Sequence, residues 1–259
     1  MGYPEHTIIR ISELYSEEGF APEGAREVDF RSLEGTSCYC SAQARERIGA
    51  ELAAKRPGGI NWIDSGDYHY LSRFTLEAAA RQCGDSPFAL VLFDHHPDMQ
   101  QPAFGNLLSC GGWVRGAFTE IPQLKQVLLL GIAPQLELEF LDLVFEGVLA
   151  VTTDDLRHTG DALGGDVKEM LSLVEKDWPI YISVDLDVLT RDFARTNWDQ
   201  GCMTMAQLQE CCRRLAASHR ILGVDICGGI TREKGGTPQD FSLNLRTRER
   251  LSEFFASLF

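Results

Sequence analysis

Short runs of apolar residues alternate with helical patterns along most of the chain. The runs are rich in Val, Ile and Leu, a composition typical of strands buried on both faces of a sheet. They cover residues 7–11, 60–63, 89–93, 126–130, 148–151, 180–184 and 221–226. Helical patterns cover residues 42–54, 71–82, 166–175, 205–217 and 245–258. Strands that alternate with helices predict a mostly parallel sheet covered by helices on both faces.

One sheet of about eight strands would use the whole chain of 259 residues. We therefore predict a single α/β domain over residues 1–259, a three-layer α/β/α sandwich, and not two smaller domains. In open sheets of this kind, ligands bind beyond the carboxyl ends of the strands. The residues that follow each apolar run are therefore the first candidates for a functional site.

Charge and hydropathy exclude several classes of protein. The chain has 38 Asp and Glu against 24 Lys and Arg, a net charge of −14, whereas binding of a phosphate backbone needs a basic surface. No apolar run approaches the roughly 18 residues that a membrane span requires. The N-terminal residues lack the basic and apolar regions of an export signal, so we expect a cytoplasmic protein. Its eight cysteines contain no Cys-x-x-Cys pair, and we expect mostly buried free thiols.

Acidic and imidazole side chains follow three of the apolar runs. Residues 94–98 read Asp-His-His-Pro-Asp, residues 185–187 read Asp-Leu-Asp, and residues 66–69 read Gly-Asp-Tyr-His. Residues i and i+2 of extended chain share a face, so alternate members of the first two motifs point the same way. Carboxylates gathered so closely repel one another unless cations neutralise them. Oxygen-rich ligation with one or two imidazoles suits manganese, magnesium or iron, and we expect two divalent metals.

Two of these motifs resemble those of a known family. Residues 94–98 are similar to the Asp-Ala-His-x-Asp motif of the arginase and agmatinase family, the ureohydrolases, and residues 183–189 resemble its Ser-x-Asp-x-Asp-x-Leu motif. The resemblance implies the arginase-type fold and a binuclear manganese centre in a cleft at the strand ends. Asp98 would also hydrogen-bond the hydroxide that bridges the metals. The implied metal ligands are Asp94, His96, Asp98, Asp185 and Asp187.

Two departures from the family pattern concern histidines. The family has His directly after Gly-Asp, whereas this chain has Tyr68 there and His69 one residue later. We expect a one-residue bulge to bring His69 to the metals; the alternative is a helix-start residue with no ligand role. The loop after Asp98 has Cys110 where the family usually has a proton-shuttling His. We predict that Cys110 lies at the cleft mouth, where a helix start favours the thiolate; sealing the helix against the sheet is the alternative.

The substrate-binding residues depart further. The family's Asp-x-x-Glu supplies a carboxylate that grips a guanidinium, but here Gly228 holds the Glu position. A guanidinium group is best bound by a bidentate carboxylate, so the absence of one makes arginine and agmatine less favoured as substrates. The loop at 191–201 is also shorter than the family's Pro- and Gly-rich version. We expect polar side chains of the cleft loops to contact substrate, at Gln100, Asn106 and Asn197.

Two functions remain open from the sequence. The first is a divergent metal-dependent hydrolase that cleaves a C–N bond of a small molecule, with Asp98 and Cys110 as catalytic residues. The second is a binding or regulatory protein that kept the fold, with or without the metals, but lost turnover. The missing Glu and His favour the second function, and the complete set of carboxylate ligands favours the first. The sequence does not decide the oligomeric state, and a homo-oligomer is one option.

Overall fold

Eight parallel strands form the central sheet. The computed structural model describes residues 4–54, 59–102, 105, 107–157 and 159–259. The strands of the sheet are β1 (His6–Arg10), β2 (Arg26–Asp29), β4 (Ile60–Ile63), β5 (Phe88–Phe93), β7 (Leu124–Ile132), β8 (Val148–Thr152), β9 (Ile180–Asp185) and β10 (Ile221–Cys227). Their order across the sheet is β2-β1-β4-β10-β9-β5-β7-β8. All neighbouring strands in it are parallel. A separate antiparallel pair is formed by β3 (Tyr39–Cys40) and β6 (Leu108–Ser109).

Helices cover both faces of the sheet. They are α1 (Leu14–Glu18), α2 (Ala42–Ala53), α3 (Ser72–Cys83), α4 (Trp113–Glu120), α5 (Thr153–Leu156), α6 (Gly165–Ser172), α7 (Met205–Ala216) and α8 (Pro238–Ala256). The first apolar cluster packs α1, α6, α7 and α8 on one face, and the second packs α2, α3 and α4 on the other. Along β5, alternate residues enter alternate clusters, as the period of a strand requires. The predicted three-layer α/β/α sandwich with a parallel eight-stranded sheet is confirmed.

The seven apolar runs coincide with seven of the eight strands, with small differences at their ends. The sequence reasoning missed β2, an edge strand in which only Val28 is buried, so no apolar run marks it. Helix α8 begins at Pro238 and not at residue 245 as predicted. Thr237 caps it, since its hydroxyl accepts from the Asp240 amide while the Asp240 carboxylate accepts from the Thr237 amide.

The described helices include none that is both long and apolar enough to span a bilayer.

Candidate metal centre

The motif-bearing strands lie side by side in the middle of the sheet. The order β4-β10-β9-β5 is continuous, and parallel strands end at the same edge. The segments that follow β4, β5 and β9 therefore meet at one point, as the strand-end reasoning predicted. Burial is nearly complete there, with Asp94, Asp185 and Asp187 exposed by only 1%, 2% and 2%.

His69 and three carboxylates form the first half of the site. His69 Nδ1 lies 3.1 Å from Asp94 Oδ2, 3.1 Å from Asp98 Oδ2 and 3.7 Å from Asp185 Oδ2. The imidazole is carried by a 3-10 helix over Gly66–Leu71 that follows β4, so a helical turn and not a bulge brings it to the carboxylates. Its Nε2 lies 2.9 Å from the Ser183 hydroxyl, which fixes the ring from behind.

His96 forms the second half of the site with two carboxylates. Its Nδ1 lies 3.0 Å from Asp187 Oδ2 and 3.5 Å from Asp94 Oδ1. Asp94 therefore faces both halves, one through each carboxylate oxygen. Among the described residues, three groups offer ligand atoms close enough for one ion. Two of them share Asp94: His69, Asp94 and Asp98 in one half, and Asp94, His96 and Asp187 in the other. The third group joins His69 and Asp185 to the buried thiol of Cys227.

Backbone amides hold the carboxylates in these positions. The His96 amide donates to Asp94 Oδ1 at 2.7 Å, the His95 amide to Asp187 Oδ1 at 3.0 Å, and the Asp187 amide to Asp185 Oδ1 at 2.9 Å. Asp98 adopts a positive φ of 50°, and its Oδ2 accepts a 2.6 Å bond from the indole of Trp113. The ligand atoms are thus oriented before any ion binds, which lowers the cost of ordering them.

The carboxylates disfavour one another's charge. Burial, followed by the negative charge of Asp94, raises the pKa of Asp98 to about 7 and that of Asp185 to about 6. Burial, then Asp185 and Asp94, raises the pKa of Asp187 well above its usual value. Burial would lower the pKa of His96, but hydrogen bonds to Asp187 and Asp94 outweigh it and raise that pKa to about 12.

The donor set fits two divalent cations. Two of the ligand groups share Asp94, and four carboxylates buried this closely repel one another unless positive charge offsets them. Divalent cations would supply that charge, because carboxylate and imidazole ligands bind in their deprotonated forms. Carboxylate-rich ligation with two imidazoles suits manganese or iron better than a thiolate-preferring ion.

A cavity of about 320 Å³ opens directly above these ligands. Its floor consists of the ligand side chains, and its walls include Cys38, Tyr39, Gln100, Cys110, Glu139 and Trp198. Gln100 thus lines the cavity, where sequence reasoning placed it, but Asn197 is absent from the lining that the described residues form. Its amide donates instead to Asp67 Oδ1 at 2.8 Å, which turns the side chain toward the protein. Asn106, also expected to contact substrate, lies outside the described residues.

Cys110 lines the cavity but is only 8% exposed. It begins a short 3-10 turn, Cys110–Gly112, ahead of α4. The expectation of a thiolate is wrong, because burial, and then the charge of Asp98, raises the pKa of Cys110 far above its usual value. The side chain also packs in the second apolar cluster. Cys110 therefore lines the cleft and also seals the following helix against the sheet, which was the alternative role considered for it.

Two cavity residues were missed by the sequence reasoning. Trp198 lies in the shortened loop at 191–201; its indole donates to Asp67 Oδ1 at 3.0 Å, and its ring meets that of His96 at 5.6 Å. Glu139 ends the 3-10 helix Pro134–Glu139 that follows β7, and it lines the cavity together with Gln100. Only the divergence of the 191–201 loop signalled Trp198, and no sequence pattern signalled Glu139.

Gly228 leaves no room for a side chain beside the site. Its φ of +96° lies in the left-handed region, and a Cβ there would overlap Asp185 Oδ1 and approach the Leu186 amide to 2.8 Å. The Gly228 amide donates to Asp64 O at 3.0 Å. The carboxylate that the family pattern places here is therefore excluded by the course of the backbone, and not only by the identity of one residue.

Fold and site together define a three-layer α/β/α protein with a carboxylate and imidazole centre at the strand ends. The model of the Arginase family matches residues 20–228. The chain belongs to the arginase family, and its fold is of the ureohydrolase type.

Similar proteins extend over most of the chain. An uncharacterized protein of Thermotoga maritima is 27% identical over 225 residues, 87% of this chain and 80% of that protein. Proclavaminate amidino hydrolase from Streptomyces clavuligerus superposes with a TM-score of 0.71 at 19% identity, covering 99% of this chain and 92% of that one. A triple mutant of an arginase-like protein from T. brucei, bound with Mn2+, has a TM-score of 0.63 at 14% identity, covering 98% and 90%.

Proposed function

We propose that this protein is a binuclear-metal hydrolase that cleaves a C–N bond of a small molecule other than a simple guanidine. The observation that carries the proposal is the pair of ligand groups that share Asp94 on the floor of a cavity. His69, Asp94, Asp98 and Asp185 would hold one metal, and Asp94, His96, Asp185 and Asp187 the other. Manganese is the proposed metal, supported by the donor set and by the Mn2+-bound neighbour from T. brucei.

The chemistry divides between the metals and the protein. When bound, two divalent cations lower the pKa of a water molecule and polarise the carbon that it attacks. Asp98, held at one carboxylate oxygen by Trp113, orients the attacking water and accepts its proton. The same carboxyl then delivers the proton to the leaving nitrogen, since an acid formed in one step acts in the next.

Cys110 has a second catalytic role in this proposal. Because burial raises its pKa, the thiol stays protonated at neutral pH. It therefore donates a hydrogen bond to the substrate and does not act as a base. Gln100, which lines the cavity together with Glu139, orients the remainder of the substrate.

The walls of the cavity limit the substrate class. With Gly228 against Asp185, no carboxylate is available there to pair with a guanidinium, and leaving that cation unpaired is costly. Trp198 provides a flat apolar wall beside His96. The proposed substrate is therefore a small uncharged molecule with an sp² carbon bonded to nitrogen, such as an amide, that fits a cavity of about 320 Å³.

Ammonia release tests the proposal. Manganese-loaded protein is assayed on a panel of small amides, and urea release is assayed on arginine and agmatine. We expect turnover on at least one panel member, and little urea from arginine or agmatine. The Asp98→Asn variant should fold normally and lose this turnover. Urea release near 10 per second, an ordinary enzyme rate, would contradict the proposed pocket.

A binding or regulatory protein is the second candidate, favoured by Cys110 and Gly228 at the positions of the family's His and Glu. It would retain the metals and fold but turn over no member of the panel. Binding of a panel member measured by calorimetry, with two metals bound and no product formed, would establish this alternative and exclude the hydrolase.

A further inference from the structure

Two cysteines face each other across the small antiparallel pair of strands. The register of β3 and β6 pairs Tyr39 with Ser109 and Cys40 with Leu108, so the next pair along is Cys38 with Cys110. The Cys110 amide donates to the Cys38 carbonyl at 2.9 Å, which confirms that the two residues are opposite. Cys38 precedes β3 and has a φ of 56°, and opposite residues joined by a ladder hydrogen bond have Cα atoms roughly 5.5 Å apart. That separation lies inside the range that a disulfide spans.

Both thiols lie on the same side of this strand pair. Cys38 and Cys110 line the same cavity, and the Cys110 thiol is close enough to affect the pKa of Cys38, which burial raises. Both cysteines are free. Cys38 is held in place by its amide, which donates to Asp67 O at 3.1 Å. The sulfur atoms are therefore neighbours at the cavity wall by virtue of backbone contacts on both strands.

Their exposures differ in a way that suits an exchange reaction. Cys38 is half-buried, whereas Cys110 is buried behind it. A small disulfide can reach Cys38 from the cavity, and Cys110 is then the adjacent thiol that resolves the mixed disulfide. Of the remaining cysteines, Cys83 and Cys202 have similar partial exposure, and they serve as internal controls.

We propose that Cys38 and Cys110 form a reversible disulfide across the wall of the cavity by exchange with a low-molecular-weight disulfide. The Cys38 sulfur attacks one sulfur of the reagent, whose S–S bond breaks and releases one thiol that takes up the Cys38 proton. Cys110 then attacks the Cys38 sulfur, and the second thiol leaves with the Cys110 proton. The two cysteines lose two electrons in total, and the reagent disulfide gains them.

The cross-link would act on the site in two ways. It removes the Cys110 proton that the proposed mechanism uses as a hydrogen-bond donor, and it fixes β3 to β6 beside the ligand Asp98. The effect on turnover rests on the proposed function, but the cross-link itself rests only on the geometry of the two thiols. The two claims therefore fail independently in experiment.

Peptide mapping without reductant tests the cross-link. Full-length protein is incubated with oxidised glutathione at alkaline pH, and the cross-linked peptides are identified by mass spectrometry. We expect one linked pair, carrying Cys38 and Cys110, that dithiothreitol cleaves. Cys38→Ser and Cys110→Ser should each remove the link, while Cys83→Ser should retain it.

The contradicting outcomes are equally specific. Cys38 and Cys110 that remain individually alkylatable after oxidation, or a link that joins Cys83 or Cys202 instead, would overturn the proposal. Mapping of the unmutated protein suffices for this decision if a Cys110 variant fails to fold. If the link forms but turnover is unchanged, the disulfide is supported and only its proposed effect on the reaction is contradicted.

Discussion

At the scale of one residue, Asp185 shows how a buried carboxylate of the candidate metal centre opposes the stability of the fold. The side chain is buried, and burial together with the charge of Asp94 raises its pKa to about 6. Its Oδ1 is satisfied by the Asp187 amide, whereas its Oδ2 lies 3.7 Å from His69 Nδ1. In the absence of metal, this carboxylate destabilises the folded protein whenever it is charged.

Replacement of Asp185 by Asn tests this opposition. A carboxyl whose pKa is higher in the folded state than in the unfolded state destabilises the fold when it is charged. For Asp185 this destabilisation begins near pH 4, grows as the pH rises to about 6, and is complete at higher pH. In chelator at pH 8, we expect Asp185→Asn to be more stable than the unmutated protein by about 1 kcal/mol or more, with the difference vanishing near pH 4. Thermal melts across this pH range measure it, with exposed Asp192→Asn as control. A variant that is less stable at pH 8 would contradict the electrostatic explanation.

Gly228 and Gly235 provide a matched pair for the substrate pocket. Both have a φ of +96°, but a Cβ at Gly228 would overlap Asp185 Oδ1, whereas one at Gly235 meets nothing within 4 Å. Alanine at either position incurs about 1 kcal/mol of backbone strain. We expect Gly228→Ala to lose further stability and to bind manganese at least tenfold more weakly, and Gly235→Ala to keep its affinity. Calorimetric titration measures both, and equal affinities would show that Gly228 does not limit the pocket.

A spacing of two residues grouped Asp94, His96 and Asp98 in the sequence, and Asp185 with Asp187, and all five line the same cavity. The extended chain assumed for this grouping is not observed, because Asp98 has a positive φ and Asp187 lies in a 3-10 helix. His69 and Trp198 follow no such rule. His69 depends on a 3-10 turn that absorbs the extra residue, and Trp198 depends on a hydrogen bond to Asp67 from a loop distant in sequence. Contacts of this kind arise from tertiary packing, which one sequence does not encode locally.

At the scale of elements, α1 and α8 support the end of β10. Glu18 of α1 and Arg248 of α8 form a fully buried ion pair, and Arg248 also donates to the Gly228 carbonyl. Asn244 of α8 donates to the other oxygen of Glu18 at 3.0 Å. This network connects two helices to the backbone turn that excludes a side chain beside Asp185.

Loss of Arg248 should therefore be far more destabilising than loss of a neighbouring arginine. Arg248→Met leaves Glu18 buried without its partner, and we expect a loss of about 3–5 kcal/mol. Exposed Arg250→Met, on the same helix, should change stability by less than about 0.5 kcal/mol. The double variant Glu18→Gln with Arg248→Met should recover part of the loss. Urea denaturation measures all three, and equal effects of the two single variants would exclude the buried pair as a support.

Elements with a strong apolar pattern were predictable, and those formed by pairing at a distance were not. The run at 60–63 predicts β4 without error, because a buried parallel strand needs apolar side chains on both faces. The two residues of β3 become a strand only by pairing with β6, nearly 70 residues later. The same holds for the Cys38 and Cys110 pair, since strands this short leave no periodic pattern in the sequence.

At the scale of the whole molecule, the order of strands determines the site more than any single loop. Four adjacent strands bring their carboxyl ends together, and 38 acidic residues include the few that converge there. The fold is shared with arginase-family proteins at TM-scores of 0.63 to 0.71. At the cavity, Cys110 and Gly228 stand where the family pattern has His and Glu, whereas His96 and the carboxylates proposed as metal ligands match its motifs.

Metal stoichiometry tests the proposed centre most directly. Protein purified without chelator, reconstituted with manganese and freed of excess metal is analysed by plasma mass spectrometry, with circular dichroism to confirm folding. We expect about two manganese ions per chain, and loss of stoichiometric binding in folded Asp185→Ala and Asp187→Ala, with exposed Asp192→Ala unchanged. Folded protein that retains no manganese after reconstitution, or unchanged stoichiometry in the Asp185 and Asp187 variants, would contradict a binuclear metal centre at these residues.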